Sequence, residues 1–260
     1  MSNNNENNEN NKYDWWTPEM WERFYNEQEE ICYCNKEPDE VEDVSKMVNL
    51  KRLCMGNSSI EDLSIIEGLT KLEVARLNDN EIENLAPIAN MMNLESLDLR
   101  NNHITDLSPI SDKKNLKSLN LSNNHIDDLT PLAELTNLEW LCVCNNQIDD
   151  LTPIANLVNL KTLCICHQEI EDLSPLENLV KLKYLHLENN KIEDISPLID
   201  MKRLKRLDMV DNFINDISPL YNKKMLKTLD LSGNEIDDEQ AAEFSRLNPD
   251  CELFLVEVDF

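Results

Sequence analysis

Cys142-Val-Cys144 and Cys164-Ile-Cys166-His167 stand 22 residues apart, and His186-Leu-Glu188 follows at the same interval. Two thiols on alternate residues of an extended chain point to one face. Two such pairs on neighbouring strands therefore put four sulfurs at the corners of a small rectangle, about 4.8 Å by about 6.7 Å. Thiolate and imidazole are ligands for zinc, and thiolates hold iron–sulfur clusters, so a metal site on Cys142, Cys144, Cys164 and Cys166 is one reading. Parallel strands hold the four Cβ vectors nearly parallel, however, whereas tetrahedral zinc needs sulfurs converging from different directions. No cofactor is assigned, and a metal-binding (Zn or Fe–S) or redox-responsive protein stands as the alternative function. A Cys142–Cys164 disulfide is allowed by strand spacing but disfavoured in a reducing compartment. The remaining reading is a patch of small, semi-apolar thiols flanked by Trp140 and Tyr184. Cys32, Cys34 and Cys54 fall at the same two repeat positions, so cysteine is tolerated there more widely.

The interval belongs to the whole chain. Leucine recurs at residues 50, 72, 94, 116, 138, 160, 182, 204 and 226, always 22 apart, and a fixed period of this size is the signature of a solenoid of stacked supersecondary units. Counting each of these leucines as position one, positions four and six are also apolar, as in Leu94, Leu97 and Leu99, and position eleven is isoleucine in every frame. Alternation at four and six predicts a short strand with one buried face. Positions three, five, seven and eight then face outward: Trp140, Thr162 and Tyr184 at three; Cys142, Cys164 and His186 at five; Cys144, Cys166 and Glu188 at seven; His167 at eight. Position nine is usually Asn, which in a tight turn can satisfy backbone groups of the next coil that would otherwise be buried unpaired. Positions thirteen to seventeen read Asp-Leu-Ser/Thr-Pro-Leu/Ile, as in Asp172 to Leu176. Ser or Thr as an N-cap, with Pro at the first helical position, predicts a short helix or 3₁₀ turn.

The frame Leu116-Lys-Ser-Leu119-Asn-Leu121-Ser-Asn-Asn124 resembles the leucine-rich repeats, in the 22-residue class seen in internalins and in regulatory proteins that bind protein phosphatase 1. The resemblance implies an α/β solenoid: a horseshoe with a parallel β-sheet on the concave face and short 3₁₀ or α turns on the convex face, capped at both ends. It implies a protein-binding scaffold without naming the partner.

The remaining features bound what such a scaffold does. With 24 basic against 51 acidic residues, net −27, the chain lacks the cationic surface that nucleic acid or an anionic membrane requires. Acids cluster at positions twelve and thirteen, for example Asp127 and Asp128, and stack into a solvated ridge with some Asp capping turns. The ridge would steer a basic partner, and no frame shows the spacing of a dedicated calcium loop. No stretch is long and apolar enough for a membrane span, and the amino terminus is Asn-rich, so a cytoplasmic location and thiols rather than a disulfide framework are expected. No catalytic motif stands in the chain, and three glycines make a phosphate cradle implausible. Residues 1–12 read as a disordered tail. Residues 13–49 read as an N-terminal cap: a helix from Thr17 carrying Trp21, preceded by Trp15 and Trp16, then a degenerate coil over 28–49. Residues 50–247 form nine repeats, and 248–260 a C-terminal cap strand. The expectation is a monomeric, non-enzymatic interaction module. It binds a protein partner on its concave face through Trp140, Tyr184, Cys142, Cys144, Cys164, Cys166, His167, His186 and Glu188.

Overall fold

The computed structural model describes residues 29–36 and 44–256. Among the described residues eleven strands run as β1 Glu30–Cys32, β2 Arg52–Cys54, β3 Val74–Arg76, β4 Ser96–Asp98, β5 Ser118–Asn120, β6 Trp140–Cys142, β7 Thr162–Cys164, β8 Tyr184–His186, β9 Arg206–Asp208, β10 Thr228–Asp230 and β11 Glu252–Phe254. They form one parallel sheet in chain order. Between strands the chain crosses the convex side through 3₁₀ turns such as Ser108–Ile110 and Ser174–Leu176. This is the solenoid anticipated from the period, in the horseshoe form that the resemblance implies.

The strand phase read from the sequence holds. Leu97, Leu119, Leu141 and Leu163 lie opposite one another in register. The leucines at positions one, four and six, such as Leu182, Leu185 and Leu187, are fully buried. Stacking, rather than intrinsic propensity, sustains three-residue strands, because each coil's apolar edge is covered only by its neighbours.

The Asn ladder points the opposite way from the expectation. Asn124 Nδ2 donates to the carbonyls of Leu99, Leu121 and Ser122, and its Oδ1 accepts the Ile104 amide. The inter-coil bonds therefore run to the preceding coil, because the turn at position eight directs the next side chain backward. That position is left-handed in successive coils, with φ from 52° to 58° at Asp79, Asn101, Asn123, Asn145, His167, Asn189 and Asp211. Asn and Asp tolerate this region best among non-glycine residues. Gly233 occupies it in the last repeat at φ 71°.

The start of the convex turn also differs. Ser or Thr is the first residue of the 3₁₀ turn, not its cap, and the capping acceptor is the Asp two residues earlier. Asp128 Oδ1 takes the Thr130 amide at 2.7 Å, and Asp172 takes Ser174 likewise. The Thr130 and Ser174 hydroxyls, and after them these amides, hold the Asp128 and Asp172 carboxyls below the ordinary aspartate range. A hydroxyl that begins the turn cannot also reach its own first free amides, whereas a carboxylate two residues upstream can.

Two lysines stand where other frames have core Leu or Met. Lys113 and Lys223 are 0 % and 2 % exposed. They run their stems through the core, and Nζ donates to Ala89 O in one case and to Leu198 O and Ile199 O in the other. Burial pushes the Lys223 ammonium down to about 8, with Asp200 opposing and Lys202 adding to the shift. Between about pH 8 and the unfolded value of 10.5, the unfolded chain binds the proton and the folded one does not, so stability rises with pH through that window. Over that range wild type should gain about 2 to 3 kcal/mol relative to Lys223→Leu. Urea unfolding of both proteins at a series of pH values checks this, and parallel curves would exclude it.

At the carboxy end the convex turn becomes helix α1, Asp238–Leu247, capped by Asp237 through the Gln240 amide. It leads into β11, with Leu253 opposite Leu229. At the other end β1 pairs with β2, with Ile31 opposite Leu53, and Val44 and Met47 are buried. The predicted tail, the aromatic helix with Trp15, Trp16 and Trp21, the cap-coil residues Pro38 and Val41, and residues 257–260 lie outside the described residues.

Candidate concave-face site

Four strands build the surface. Their register sets Trp140, Thr162, Tyr184 and Arg206 in one row, and Cys142, Cys164, His186 and Asp208 in the next. Cys144, Cys166 and Glu188 form a third row just beyond the strand ends. Tyr184 is 40 % exposed, while Trp140, Cys144, Cys164, His186 and Glu188 are half-buried and Cys142 and Cys166 buried. His167 is exposed but sits in the left-handed turn, at the margin of the strands.

The rows are joined by a polar chain. Cys142 and Cys144 share a proton across 3.6 Å, Cys144 Sγ accepts the Cys166 amide at 3.2 Å, and the Cys166 thiol donates to Glu188. His186 Nδ1 donates to Asp208 Oδ2 at 2.7 Å and lies 3.8 Å from Glu188, while Arg206 Nε donates to the same Asp208 oxygen at 2.7 Å.

The charge states follow from these contacts. Thiol donors on Cys144 and Cys164 hold Cys142 well below the usual thiol range against burial, and those two thiols are raised in turn because they donate. His186 is raised to about 9 by Asp208 and then Glu188. Burial is the largest influence on Asp208 and Glu188 and works to raise both. The hydrogen bonds from His186, with Arg206 on Asp208 and Cys166 on Glu188, outweigh it and leave both carboxyls lowered.

The four-sulfur rectangle does not converge on a point. Among the described residues, the groups whose metal-ligating atoms all lie within 4.8 Å of one another are Cys32, Cys34 and Cys54, and His186, Glu188 and Asp208. The first group also corrects the expectation of thiols without disulfides. Cys34 and Cys54 are bonded, with Cα atoms 6.1 Å apart, because position seven of one coil lies diagonally across from position five of the next, within disulfide reach. Cys32 Sγ stands 3.2 Å from Cys34.

Asp208 and Arg206 complete the site and were missed in the sequence. Following positions three and five one coil further would have found them, since both stand one repeat after Tyr184 and His186. The acidic ridge forms an open groove lined by Glu61, Asp62, Glu81 and Glu83 with His103. His103 stacks on His125 with ring centres 5.7 Å apart.

Comparison with known proteins places this scaffold. A family model described as leucine rich repeats (2 copies) matches six overlapping windows, from 70–112 through 180–222, and a leucine rich repeat model matches 222–242. The chain is similar to an internalin, InlF, of Listeria monocytogenes, with 28% identity and a TM-score of 0.74 over 91% of this chain and 82% of that one. Internalin C2 of the same species gives 37% identity and a TM-score of 0.65 over 68% of this chain and 78% of that one. The leucine-rich ectodomain of the Arabidopsis thaliana membrane receptor kinase GASSHO1/SCHENGEN3, solved in complex with CASPARIAN STRIP INTEGRITY FACTOR 2, shares the fold. It has 19% identity and a TM-score of 0.66 over 83% of this chain and 31% of that one. No curated protein sequence matched. The phased leucines, the one-sheet solenoid and these matches agree: the chain belongs to the leucine-rich repeat family, with repeats of the internalin kind.

Proposed function

We propose that this chain is a non-enzymatic module that binds a protein partner on the concave face of coils five to seven, with Trp140 and Tyr184 as anchors. The observation that carries the reading is an aromatic pair on one row of the sheet, beside semi-apolar thiols, where the two preceding coils present small Ser96 and Ser118. Aromatic side chains bury large areas at low entropic cost and dominate interface energies. The plant receptor ectodomain of the same fold was solved with a bound factor, which supports a binding role. The net charge of −27 favours a partner with a basic surface. Among the described residues no helix is long and apolar enough to cross a membrane. The free thiols of Cys142, Cys144, Cys164 and Cys166 favour a cytoplasmic location, and the Cys34–Cys54 bond points the other way. The module is taken to act as a monomer.

The double variant Trp140→Ala/Tyr184→Ala tests the reading. Proteins captured from native cytosol by the wild-type chain and identified by mass spectrometry should bind the variant at least about 30-fold more weakly, the equivalent of about 2 kcal/mol. The unfolding midpoint should stay nearly unchanged. Unaltered capture would move the interface off this face.

A further inference from the structure

We propose that His186, Glu188 and Asp208, with Cys166 as a fourth ligand, form a binding site for one divalent transition-metal ion of the zinc type. The first support is geometric. Ligand atoms of His186, Glu188 and Asp208 all lie within 4.8 Å of one another, and the Cys166 thiol reaches Glu188 from the preceding coil. A tetrahedral zinc shell with bonds of about 2.0 to 2.3 Å sets its ligand atoms roughly 3.3 to 3.7 Å apart, inside the range the cluster spans. The four groups come from three coils and two rows, and the longer His186 and Glu188 side chains can bend toward a common point as short parallel cysteines cannot.

The second support is an orphaned atom. The Asp208 carboxylate is aimed at His186, its side chain is 3 % exposed, and Oδ2 serves both His186 and Arg206. Its other oxygen, Oδ1, is buried without a hydrogen-bond partner. A buried unpaired carboxylate oxygen is costly and calls for an explanation, an ion being one. Oδ2 can keep Arg206 while Oδ1 turns to a cation.

The third support is the donor set. One imidazole nitrogen, two carboxylates and one thiol match zinc, whereas calcium and magnesium select oxygen throughout. Binding displaces the His186 Nδ1 proton and the Cys166 thiol proton to solvent, and the acidic chain favours cation approach. This inference does not depend on a protein partner, since it is tested on the chain alone.

The full chain, reduced and stripped of metal with a chelator, is titrated with Zn²⁺ against a chromophoric competitor, and with Co²⁺ as a spectroscopic probe. One equivalent of Zn²⁺ should disappear in Asp208→Asn and in Glu188→Gln, each weakened at least about 100-fold with the unfolding midpoint retained. Co²⁺ should give tetrahedral visible bands and a thiolate charge-transfer band that Cys166→Ser removes. The triple variant Cys142→Ser/Cys144→Ser/Cys164→Ser should keep both signals. Should Asp208→Asn fail to fold, half-buried His186→Gln supplies the same comparison. No stoichiometric Zn²⁺, equal affinity in the ligand variants, a charge-transfer band that survives Cys166→Ser, or loss of binding in the triple variant would each overturn the proposal.

Discussion

Replacing Asn124 with alanine should lower the unfolding free energy by roughly 2 to 4 kcal/mol. Its amide makes three donations and one acceptance. Removing it leaves the buried Ile104 amide unpaired, at about 1 to 3 kcal/mol, and takes one of two donors from the Leu99 and Leu121 carbonyls, which keep Asn102 and Asn146. In a protein of this size the melting midpoint should fall on the order of 10 °C. Coil six carries a natural control. Gln168 Nε2 reaches only Val143 O, and Oε1 takes only the Ile148 amide. The longer side chain keeps the two bonds to the preceding coil and gives up those within its own, so Gln168→Asn should stabilise. Equal midpoints for Asn124→Ala and wild type in a calorimetric scan would show that water replaces the ladder.

The second large effect is expected from Leu163→Ala. Leu163 is fully buried on β7, between Leu141 and Leu185 in register. Those neighbours are pinned by their own ladders, so the cavity collapses little and the cost should fall at roughly 2 to 5 kcal/mol. In a stack whose units touch only their neighbours, a weak central coil also divides the array. Urea unfolding should therefore lose cooperativity, with a smaller m value than wild type. An unchanged m value with a lower midpoint would mean that the coils on either side remain coupled through the convex turns.

How much of this was legible in the sequence depends on which side chains repeat. Leu94, Leu97, Leu99 and Ile104 recur because every coil buries them, so fold, strand phase and the outward rows were readable. The concave residues do not repeat, and their neighbours come from other coils. Trp140, Cys142 and His186 were found because they break the pattern of polar residues. Asp208 was not, because Asp98 and Asp230 at the same position make it look ordinary until burial and His186 set it apart. Turn chemistry was misassigned where two polar residues competed: the capping acceptor is Asp128 rather than Thr130. Lys113 and Lys223 were unreadable as core residues because their charge hides an aliphatic stem. The Cys34–Cys54 bond was missed because composition argued for a reducing compartment, while the diagonal between adjacent coils decides which sulfurs meet.

The ladder that holds Asn124 has a consequence for how such a chain changes in length. Each rung joins residues offset by 20 or 25 along the chain, as Asn124 does to Ile104 and Leu99. Gain or loss of one whole unit leaves every offset intact and merely lengthens or shortens the arc. An insertion of any other size inside a coil strands an amide or a carbonyl in the interior at the point of entry. Growth by duplication of complete units is thus the path of least resistance, and variation in a single unit, such as the cysteine pairs, is free to accumulate on the inner wall without disturbing the spacing.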